Sequence, residues 1–390
     1  MAKIDEQKIG EILSRGVEEV IDRDRLKKKL LSGKTLIIKL GIDPTSPNIH
    51  IGRAIPLLKL KDFQDLGHKI VFIIGDFTGL IGDTSDKESE RPILAEKQVK
   101  ENMKTYIQQV AKILDIRKCE IAYNSKWLKK LGFIEIGKMA NVFGLHEFEV
   151  RENVSIRLKE GKRVSLRELL YPIMQGYDSV MVKADVELGG TDQRFNLLAG
   201  RELQKLYGQK PQDIVTNPLI EGLDGRKMSS SWGNTINILD SPNEMFGKTM
   251  SLKDEFIIKY FTLITRVPLE EIEEIKKLGP RNQKARLAKE IVKMYHGERA
   301  AEKAGAEFKK VFGQKEWPSN AKKMQISGEI SILELLEKGG LASSKSEAKR
   351  LILQGAVKIN GVVQKDWKKT IKTAAEMKIQ VGPRRFLELI

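Results

Sequence analysis

The chain has 390 residues, of which 41% are hydrophobic and 31% are charged, and this length indicates two or three domains rather than one small core. The sequence contains no run of about 18 apolar residues and no apolar leader, and its lone Cys119 cannot form an internal disulfide, so we expect a cytoplasmic protein without a membrane span. The net charge of +16 favours a polyanionic partner, nucleic acid before a membrane surface.

The first 125 residues alternate between short β-branched runs and stretches with apolar residues at helical spacing. This alternation predicts a Rossmann-like α/β fold, with a parallel sheet covered by helices on both faces. The predicted helices are residues 4–31, 54–66 and 95–114, and the predicted strands are residues 35–40, 69–74 and 120–123.

The turn from Gly41 to Arg53 joins the first predicted strand to the next helix. The entrance of a helix presents unpaired N–H groups and a partial positive charge, which suit a phosphate. At this entrance His50 supplies a hydrogen-bond donor, and Gly52 leaves room for a ligand against the backbone. Taken alone, such a turn is more often ordinary turn chemistry than a nucleotide site.

Polar residues follow the apolar runs of this region. Asp43, Thr78, Asp83 and Asn124 each come after a predicted strand. Because ligands of parallel sheets bind at the carboxyl ends of the strands, these side chains are candidates for one shared site.

The second half of the chain changes from mixed to helical character and ends in a basic unit. Residues 321–390 hold fourteen lysines and arginines against seven aspartates and glutamates, an excess of seven positive charges. The predicted segments are mainly helical residues 126–180, a strand at 182–186, a helix at 194–207, an apolar run at 214–220, a basic loop rich in serine at 225–231, helices within 242–312, a linker at 313–327, helices at 332–337 and 344–353, and a hairpin at 356–363.

Several motifs in this order resemble the class I aminoacyl-tRNA synthetases. His50-Ile-Gly-Arg53 is similar to their HIGH sequence, and Lys227-Met-Ser-Ser-Ser231 is similar to KMSKS. The fuller resemblance is to bacterial tyrosyl-tRNA synthetases, through Tyr171-Pro-Ile-Met-Gln-Gly-Tyr-Asp178 and Gly189-Gly-Thr-Asp-Gln193. The segment from Ser344 to Gly361 resembles an S4-type RNA-binding domain.

The resemblance implies a tyrosine–tRNA ligase that uses ATP, with Mg²⁺ on the phosphates, to join L-tyrosine to tRNA(Tyr). It also implies a homodimer whose interface lies in the helical insertion at about 126–180. The implied domains are a catalytic domain at 1–234, a helical anticodon-binding domain at 235–320 and an S4-like RNA-binding domain at 328–390. No metal site within the protein is expected, because the four histidines are scattered and have no cysteine partner.

In this family the tyrosine carboxylate is already a nucleophile, so catalysis must come from positioning and from charge stabilisation. The resemblance assigns catalytic contacts to His50, Lys227, Lys87 and Arg91, although the last two also fit an ordinary solvated turn. It assigns ATP binding to Asp43, Thr45, His50, Gly52, Arg53, Gly190, Asp192, Lys227 and Ser230. It assigns tyrosine binding to Asp83, Asn124, Tyr171, Gln175, Asp178 and Gln193, with Asp178 accepting the phenolic hydrogen bond. It assigns RNA binding to Lys345, Lys349, Arg350 and Lys358.

The sequence departs from the family pattern at three positions. Arg53 replaces the second histidine of HIGH, and Ser230 replaces the second lysine of KMSKS, for which Arg226 is a candidate substitute. Lys39 stands where many relatives have a tyrosine that touches the substrate phenol. Asp178 is therefore expected to be the main residue that recognises the phenolic hydroxyl.

Three other functions compete with this interpretation. A tryptophan–tRNA ligase is disfavoured by the acid at Asp178 and by the S4-like tail. An RNA-binding relative with impaired catalysis is favoured by Arg53 and Ser230 but disfavoured by the intact His50 and Lys227. A small-molecule adenylyltransferase would not need the basic tail.

Overall fold

The computed structural model describes residues 6–84, 93–314, 317–318, 321–382 and 385–390. Its larger sheet has six strands in the order β1-β6-β5-β2-β3-β4. All neighbours in this sheet are parallel except β1, which pairs antiparallel with β6. The strands are β1 (Glu19–Ile21), β2 (Ile37–Ile42), β3 (Lys69–Ile74), β4 (Cys119–Tyr123), β5 (Val186–Gly190) and β6 (Asp213–Asn217). The expected α/β fold with a parallel sheet is confirmed.

The central strands are mostly buried, and β3 is the most apolar of them. Ile70, Phe72, Ile73 and Ile74 of β3 are all fully buried. The helices up to residue 206 are α1 (Glu6–Ile12), α2 (Arg23–Leu31), α3 (Ile51–Asp65), α4 (Thr78–Ile81), α5 (Glu96–Met103), α6 (Tyr106–Val110), α7 (Ser125–Leu128), α8 (Phe133–Ala140), α9 (Leu145–Glu149), α10 (Glu152–Lys159), α11 (Leu166–Val182) and α12 (Arg194–Leu206).

The following region is helical and shares the core of the sheet. Met245, Tyr260 and Ile291 belong to the same cluster of buried side chains as Ile38 and Phe72. Its helices are α13 (Pro242–Met250), α14 (Ile257–Ile264), α15 (Leu269–Ile275), α16 (Pro280–His296) and α17 (Glu298–Phe308), followed by one π-helical turn at Lys309–Gly313.

The C-terminal unit has a hydrophobic core of its own, which includes Leu335, Ile352 and Leu387. A five-stranded sheet with the order β10-β9-β12-β13-β7 and a two-stranded sheet of β8 and β11 surround two helices. The elements are β7 (Lys322–Met324), β8 (Glu329–Ser331), α18 (Ile332–Lys338), α19 (Lys345–Leu353), β9 (Val357–Ile359), β10 (Val362–Val363), β11 (Thr370–Lys372), β12 (Lys378–Val381) and β13 (Arg385–Leu389). The predicted hairpin is confirmed: Asn360 and Gly361 both have positive φ between β9 and β10, as a tight type I′ turn requires.

Three predicted segments are wrong. The helix expected at 4–31 is interrupted by β1, whose partner β6 lies almost 200 residues away. The strand expected at 182–186 starts only at Val186, because α11 continues through Val182 and ends at Lys183 in a left-handed conformation. The expected linker at 313–327 contains β7, which pairs with β13.

Two further findings concern the helices. The helix expected at 95–114 is divided into α5 and α6. Within the described ranges, no helix has both the length and the apolar content of a membrane span.

Candidate active site

A cavity of about 250 Å³ opens at the carboxyl end of the large sheet. Ile42 of β2, Gly190 of β5 and Asn217 of β6 line it, so it lies where a parallel sheet presents its ligands. Every candidate for ATP or tyrosine binding that was named from the sequence lines this single cavity: Asp43, Thr45, His50, Gly52, Arg53, Asp83, Asn124, Tyr171, Gln175, Asp178, Gly190, Asp192, Gln193, Lys227 and Ser230. Lys87 and Arg91 lie outside the described residues.

His50 is the N-cap of α3, with an extended backbone (φ −85°, ψ 159°) that brings the chain from the turn into the helix. Its ring Nδ1 accepts a hydrogen bond of 3.3 Å from the Arg53 amide, which places the proton of the neutral ring on Nε2. A Cβ at Gly52 would lie 3.0 Å from that ring and 3.1 Å from Ile220. Gly52 therefore makes room for the imidazole as well as for a ligand.

Arg53, the replacement for the second histidine of HIGH, is half-buried in the cavity wall. Its Nη2 donates to the Thr45 hydroxyl at 3.1 Å. Its Nη1 is buried and has no hydrogen-bond partner among the described residues. A buried guanidinium N–H without an acceptor is costly, and a phosphate oxygen would satisfy it.

The loop that carries Lys227 is organised by Asn234, whose side chain accepts from the Ser229 amide and donates to Asp224 and to the Lys227 carbonyl. Within this loop the Lys227 ammonium is 2.8 Å from a carboxylate oxygen of Asp192. Lys227 therefore faces the group expected to bind the ribose.

Arg226 points away from this cavity. Its guanidinium pairs with Asp224 at 2.6 Å and stacks over the Trp232 ring at 4.6 Å. Arg226 therefore does not take the place of the missing lysine at Ser230, which lines the cavity and lies 3.3 Å from the Ser46 hydroxyl.

Asp178 on α11 also lines the cavity and is only 4% exposed. Its carboxylate accepts hydrogen bonds from the Trp127 indole at 2.7 Å and the Asn124 amide at 3.2 Å. Burial raises the pKa of Asp178 to about 7, while the charge of Lys39 and the two hydrogen bonds oppose that rise and the charge of Glu187 adds to it. Trp127 was not identified from the sequence, although an indole just after the strand-end residue Asn124 could have indicated it.

Asp43 and Tyr171 both line the cavity and are joined by a hydrogen bond. The Tyr171 hydroxyl donates to Asp43 at 2.9 Å, and the Thr78 hydroxyl donates to the other oxygen of the same carboxylate at 2.7 Å. Burial raises the pKa of Tyr171 well above its ordinary value, and the neighbouring carboxylates add to the rise. A Cβ at Gly75 would lie 2.0 Å from Asp43, so only glycine leaves room for this carboxylate.

A chain of amides lies beside Asp178. The buried Asn196 donates to Gln175 at 3.1 Å and to Gln193 at 3.0 Å, and Gln193 donates to Asp83. Three residues expected to bind tyrosine are thus joined by Asn196, which the sequence did not single out.

The four candidates for RNA binding lie away from the cavity, on the C-terminal unit. Lys345, Lys349 and Arg350 are exposed on α19, and Lys358 is exposed on β9. The Lys349 ammonium lies 4.0 Å from the centre of the Trp367 ring.

Comparison with known proteins gives two family matches. A family described as tRNA synthetases class I (W and Y) matches residues 31–313, and the S4 domain matches residues 334–376. A relative from Carboxydothermus hydrogenoformans, named Tyrosine--tRNA ligase, is 47% identical over 97% of this chain and 97% of its own. A relative of the same name from Thermotoga maritima is 46% identical over 97% of this chain and 96% of its own.

Solved structures resemble the fold. A C-terminally truncated mitochondrial tyrosyl-tRNA synthetase from Aspergillus nidulans has a TM-score of 0.65 at 22% identity and covers 79% of this chain and 94% of its own. A tyrosyl-tRNA synthetase complexed with L-tyrosine, from Archaeoglobus fulgidus, has a TM-score of 0.61 at 22% identity and covers 77% of this chain and 100% of its own.

Proposed function

Because this chain belongs to the tyrosine–tRNA ligases, within the class I tRNA synthetases, we propose that it activates L-tyrosine with ATP and transfers the tyrosyl group to the 3′ end of tRNA(Tyr). One observation carries this proposal. The same cavity is lined by a buried carboxylate that can bind a phenol and by cations that can bind a triphosphate. The indole N–H of tryptophan could also donate to Asp178, so the preference for tyrosine over tryptophan rests on the relatives named Tyrosine--tRNA ligase.

In the first step a carboxylate oxygen of tyrosine attacks the α-phosphorus of ATP. A new P–O bond forms, the bond between the α-phosphorus and the bridging oxygen breaks, and pyrophosphate leaves with the electron pair. No proton has to be removed from the nucleophile, so the protein's task is to align the two substrates and stabilise negative charge. We assign that charge stabilisation to His50, Arg53 and Lys227.

Arg53 Nη1 has no hydrogen-bond partner in the described part of the chain, and this supports the assignment, because an anion in the cavity would complete its hydrogen bonding. Lys227 would have to exchange Asp192 for the phosphates, since the ammonium is now 2.8 Å from that carboxylate. The release of Asp192 would then leave its carboxylate available to the ribose hydroxyls.

Selection of tyrosine over phenylalanine follows from Asp178. With phenylalanine bound, the buried carboxylate would face an apolar ring instead of a phenolic donor, and its desolvation would not be compensated. Tyrosyl-tRNA synthetases are the standard example of this kind of discrimination. Asp83, Tyr171, Gln175 and Gln193 are assigned to the amino-acid end of the substrate.

We propose that Mg²⁺ enters with the phosphates of ATP. The described residues contain no cluster of three or more histidines, cysteines, aspartates or glutamates that could hold the ion, so the phosphates of ATP, rather than the protein, would supply most of its ligands other than water. When bound, Mg²⁺ would neutralise part of the charge that develops on pyrophosphate.

We assign transfer RNA binding to the basic C-terminal unit and to the helical region before it. The exposed Lys345, Lys349, Arg350 and Lys358 supply positive charge for the RNA backbone. We propose a catalytic domain at 1–234, a helical domain at 235–320 and an S4-like domain at 328–390. The sheet of the last unit begins earlier, at Lys322, because β7 pairs with β13.

We also propose a homodimer in the cytoplasm. Phe133 and Ile134 at the start of α8 are 94% and 80% exposed, and Leu145, Val150 and Leu166 nearby are exposed as well. A concentration of large apolar side chains on helices of the 126–180 insertion is typical of a surface that another protein covers.

The proposed function is tested by the exchange of radiolabelled pyrophosphate into ATP, measured with each of the twenty amino acids in turn. We expect exchange with tyrosine alone. Exchange with tryptophan alone, or with no amino acid, would contradict the proposal.

A further inference from the structure

Lys39 and Glu187 form an ion pair that is buried behind the wall of the cavity. They are direct partners in the parallel pair of β2 and β5, their charged atoms are 2.8 Å apart, and their side chains are 0% and 1% exposed. Neither residue lines the cavity, so neither can touch the proposed substrates.

The Lys39 ammonium uses all three of its protons. It donates to Glu187 at 2.8 Å, to the Ser179 hydroxyl at 2.8 Å and to the backbone carbonyl of Gln175 at 2.9 Å. Two of these acceptors belong to α11, the helix that carries Asp178. The lysine therefore joins that helix to the centre of the sheet.

Glu187 is equally well satisfied. One of its oxygens accepts from Lys39 and, at 3.1 Å, from the Gln175 side-chain amide. The other accepts from the Ser179 hydroxyl at 2.9 Å and from the Gln212 amide. A buried pair with this many hydrogen bonds has one fixed geometry, and any group bound to it shares that geometry.

Gln175, which this ion pair fixes in place, lines the cavity. Gln175 is held by Lys39 at its backbone and by Glu187 at its side-chain nitrogen, and its side-chain oxygen accepts from Asn196. Asn196 also donates to Gln193, which donates to Asp83. A continuous set of hydrogen bonds therefore runs from the ion pair to the residues assigned to the amino-acid end of tyrosine.

The neighbouring helix leaves little space for this cluster to change shape. A Cβ at Gly200 of α12 would lie 2.5 Å from the Gln212 amide nitrogen and 3.0 Å from the Ser179 hydroxyl. A Cβ at Gly176 of α11 would lie 3.0 Å from the backbone of residues 199 and 200. The two helices thus close over the ion pair and exclude other arrangements of its partners.

We propose that the buried Lys39–Glu187 pair is a positioning element for the amino-acid substrate, which fixes Gln175 and, through Asn196, Gln193 in the orientation that receives tyrosine. This inference rests on the proposed function, because it assumes that tyrosine occupies the cavity. It also gives Lys39 a role that does not involve contact with the substrate phenol.

The test compares the double variant Lys39→Met/Glu187→Gln with the unaltered protein in the pyrophosphate exchange assay. Removing both charges together avoids leaving either one buried and unpaired. We expect the KM for tyrosine to rise by about tenfold or more, because the Gln175 amide loses a charged acceptor. The KM for ATP should change by less than about twofold, because the cluster has no contact with the residues assigned to the phosphates.

Two further variants keep the test decisive if the double variant does not fold. Asn196→Ala removes the link between Gln175 and Gln193 without touching a charge, and it should also raise the KM for tyrosine and leave that for ATP unchanged. Asp213→Asn is the matched control, since Asp213 is a fully buried carboxylate of the same sheet that pairs with Arg25 and Lys29 and does not line the cavity. Asp213→Asn should lower the melting temperature, but it should not raise the KM for tyrosine relative to the KM for ATP.

The outcomes distinguish this inference from the proposed function. If the unaltered protein shows no exchange with tyrosine, the proposed function is wrong. If it exchanges with tyrosine but the folded double variant and Asn196→Ala both keep the original KM for tyrosine, only the positioning role is overturned. Equal increases of both KM values would also overturn it.

Discussion

Replacement of Asp178 by alanine separates recognition of the amino acid from recognition of the nucleotide. In the structure this carboxylate is the acceptor for Trp127 at 2.7 Å and for Asn124 at 3.2 Å, and the substrate phenol would be its third donor. Asp178→Ala removes that acceptor, so Trp127, Asn124 and the substrate phenol each lose a hydrogen-bond partner.

The magnitude follows from the type of hydrogen bond that is lost. A hydrogen bond to a charged group contributes about 1.5–3 kcal/mol, and about 2 kcal/mol corresponds to a roughly thirtyfold change in rate. We therefore expect kcat/KM for tyrosine in pyrophosphate exchange to fall by about thirtyfold or more. The KM for ATP should change by less than about threefold, because Asp178 has no contact with the residues assigned to ATP.

The matched control is Asp192→Ala, which removes from the same cavity a different carboxylate, the one that pairs with Lys227. It should raise the KM for ATP and leave the KM for tyrosine nearly unchanged. The ratio of kcat/KM for tyrosine to that for phenylalanine should fall sharply in Asp178→Ala and stay constant in Asp192→Ala. Equal losses for both substrates in Asp178→Ala, or an unchanged ratio of tyrosine to phenylalanine, would refute this reasoning.

Four other predictions concern pH, RNA and assembly. Because burial raises the pKa of Asp178 to about 7, kcat/KM for tyrosine should rise as the pH increases through about 7, and a variant with alanine here should lack that step. The same raised pKa means that the folded protein holds this proton more tightly than the unfolded chain, so the residue's contribution to stability should fall as the pH rises from about 4 to about 7, which denaturant titrations at several pH values would measure. Lys345→Ala/Lys349→Ala should weaken charging of tRNA(Tyr) and flatten its salt dependence while pyrophosphate exchange is kept, and an unchanged charging rate would remove the role of α19. Phe133→Asp should shift the protein from dimer to monomer in sedimentation experiments, whereas an unaltered dimer would place the interface elsewhere.

Some residues that line the cavity could be named from the sequence because they follow predicted strands. Asp43, His50 and Asn124 each follow an apolar run, and a parallel sheet brings such positions to one edge. Tyr171, Gln175 and Asp178 lie on α11 instead, and the family resemblance, not their position, singled them out.

The supporting side chains could not be named, because their partners are distant in the sequence. Lys39 and Glu187 are 148 residues apart in the sequence, and the residues next to each of them do not indicate that it belongs to a buried ion pair. Asn196 is in the same situation, since its role follows from its contact with Gln175 on another helix. The resemblance correctly drew attention to position 39, but only the structure shows where the lysine is directed.

The errors in the fold have a similar cause. The apolar residues of 182–186 predict a strand from Val182, but packing of α11 against α12 keeps the chain helical to Val182. The short strand at Glu19–Ile21 forms because it pairs with β6. The sequence pattern around these residues gives no information about so distant a partner.

The most direct test of the account is a crystal structure of the protein with a non-hydrolysable analogue of tyrosyl-adenylate. The account predicts one molecule in the cavity at the carboxyl end of the sheet, with its phenol hydrogen-bonded to Asp178, its phosphate mimic near His50 and Arg53, and its ribose at Asp192. An analogue bound with its phenol away from Asp178, or bound outside this cavity, would contradict the claim that a single site serves both substrates.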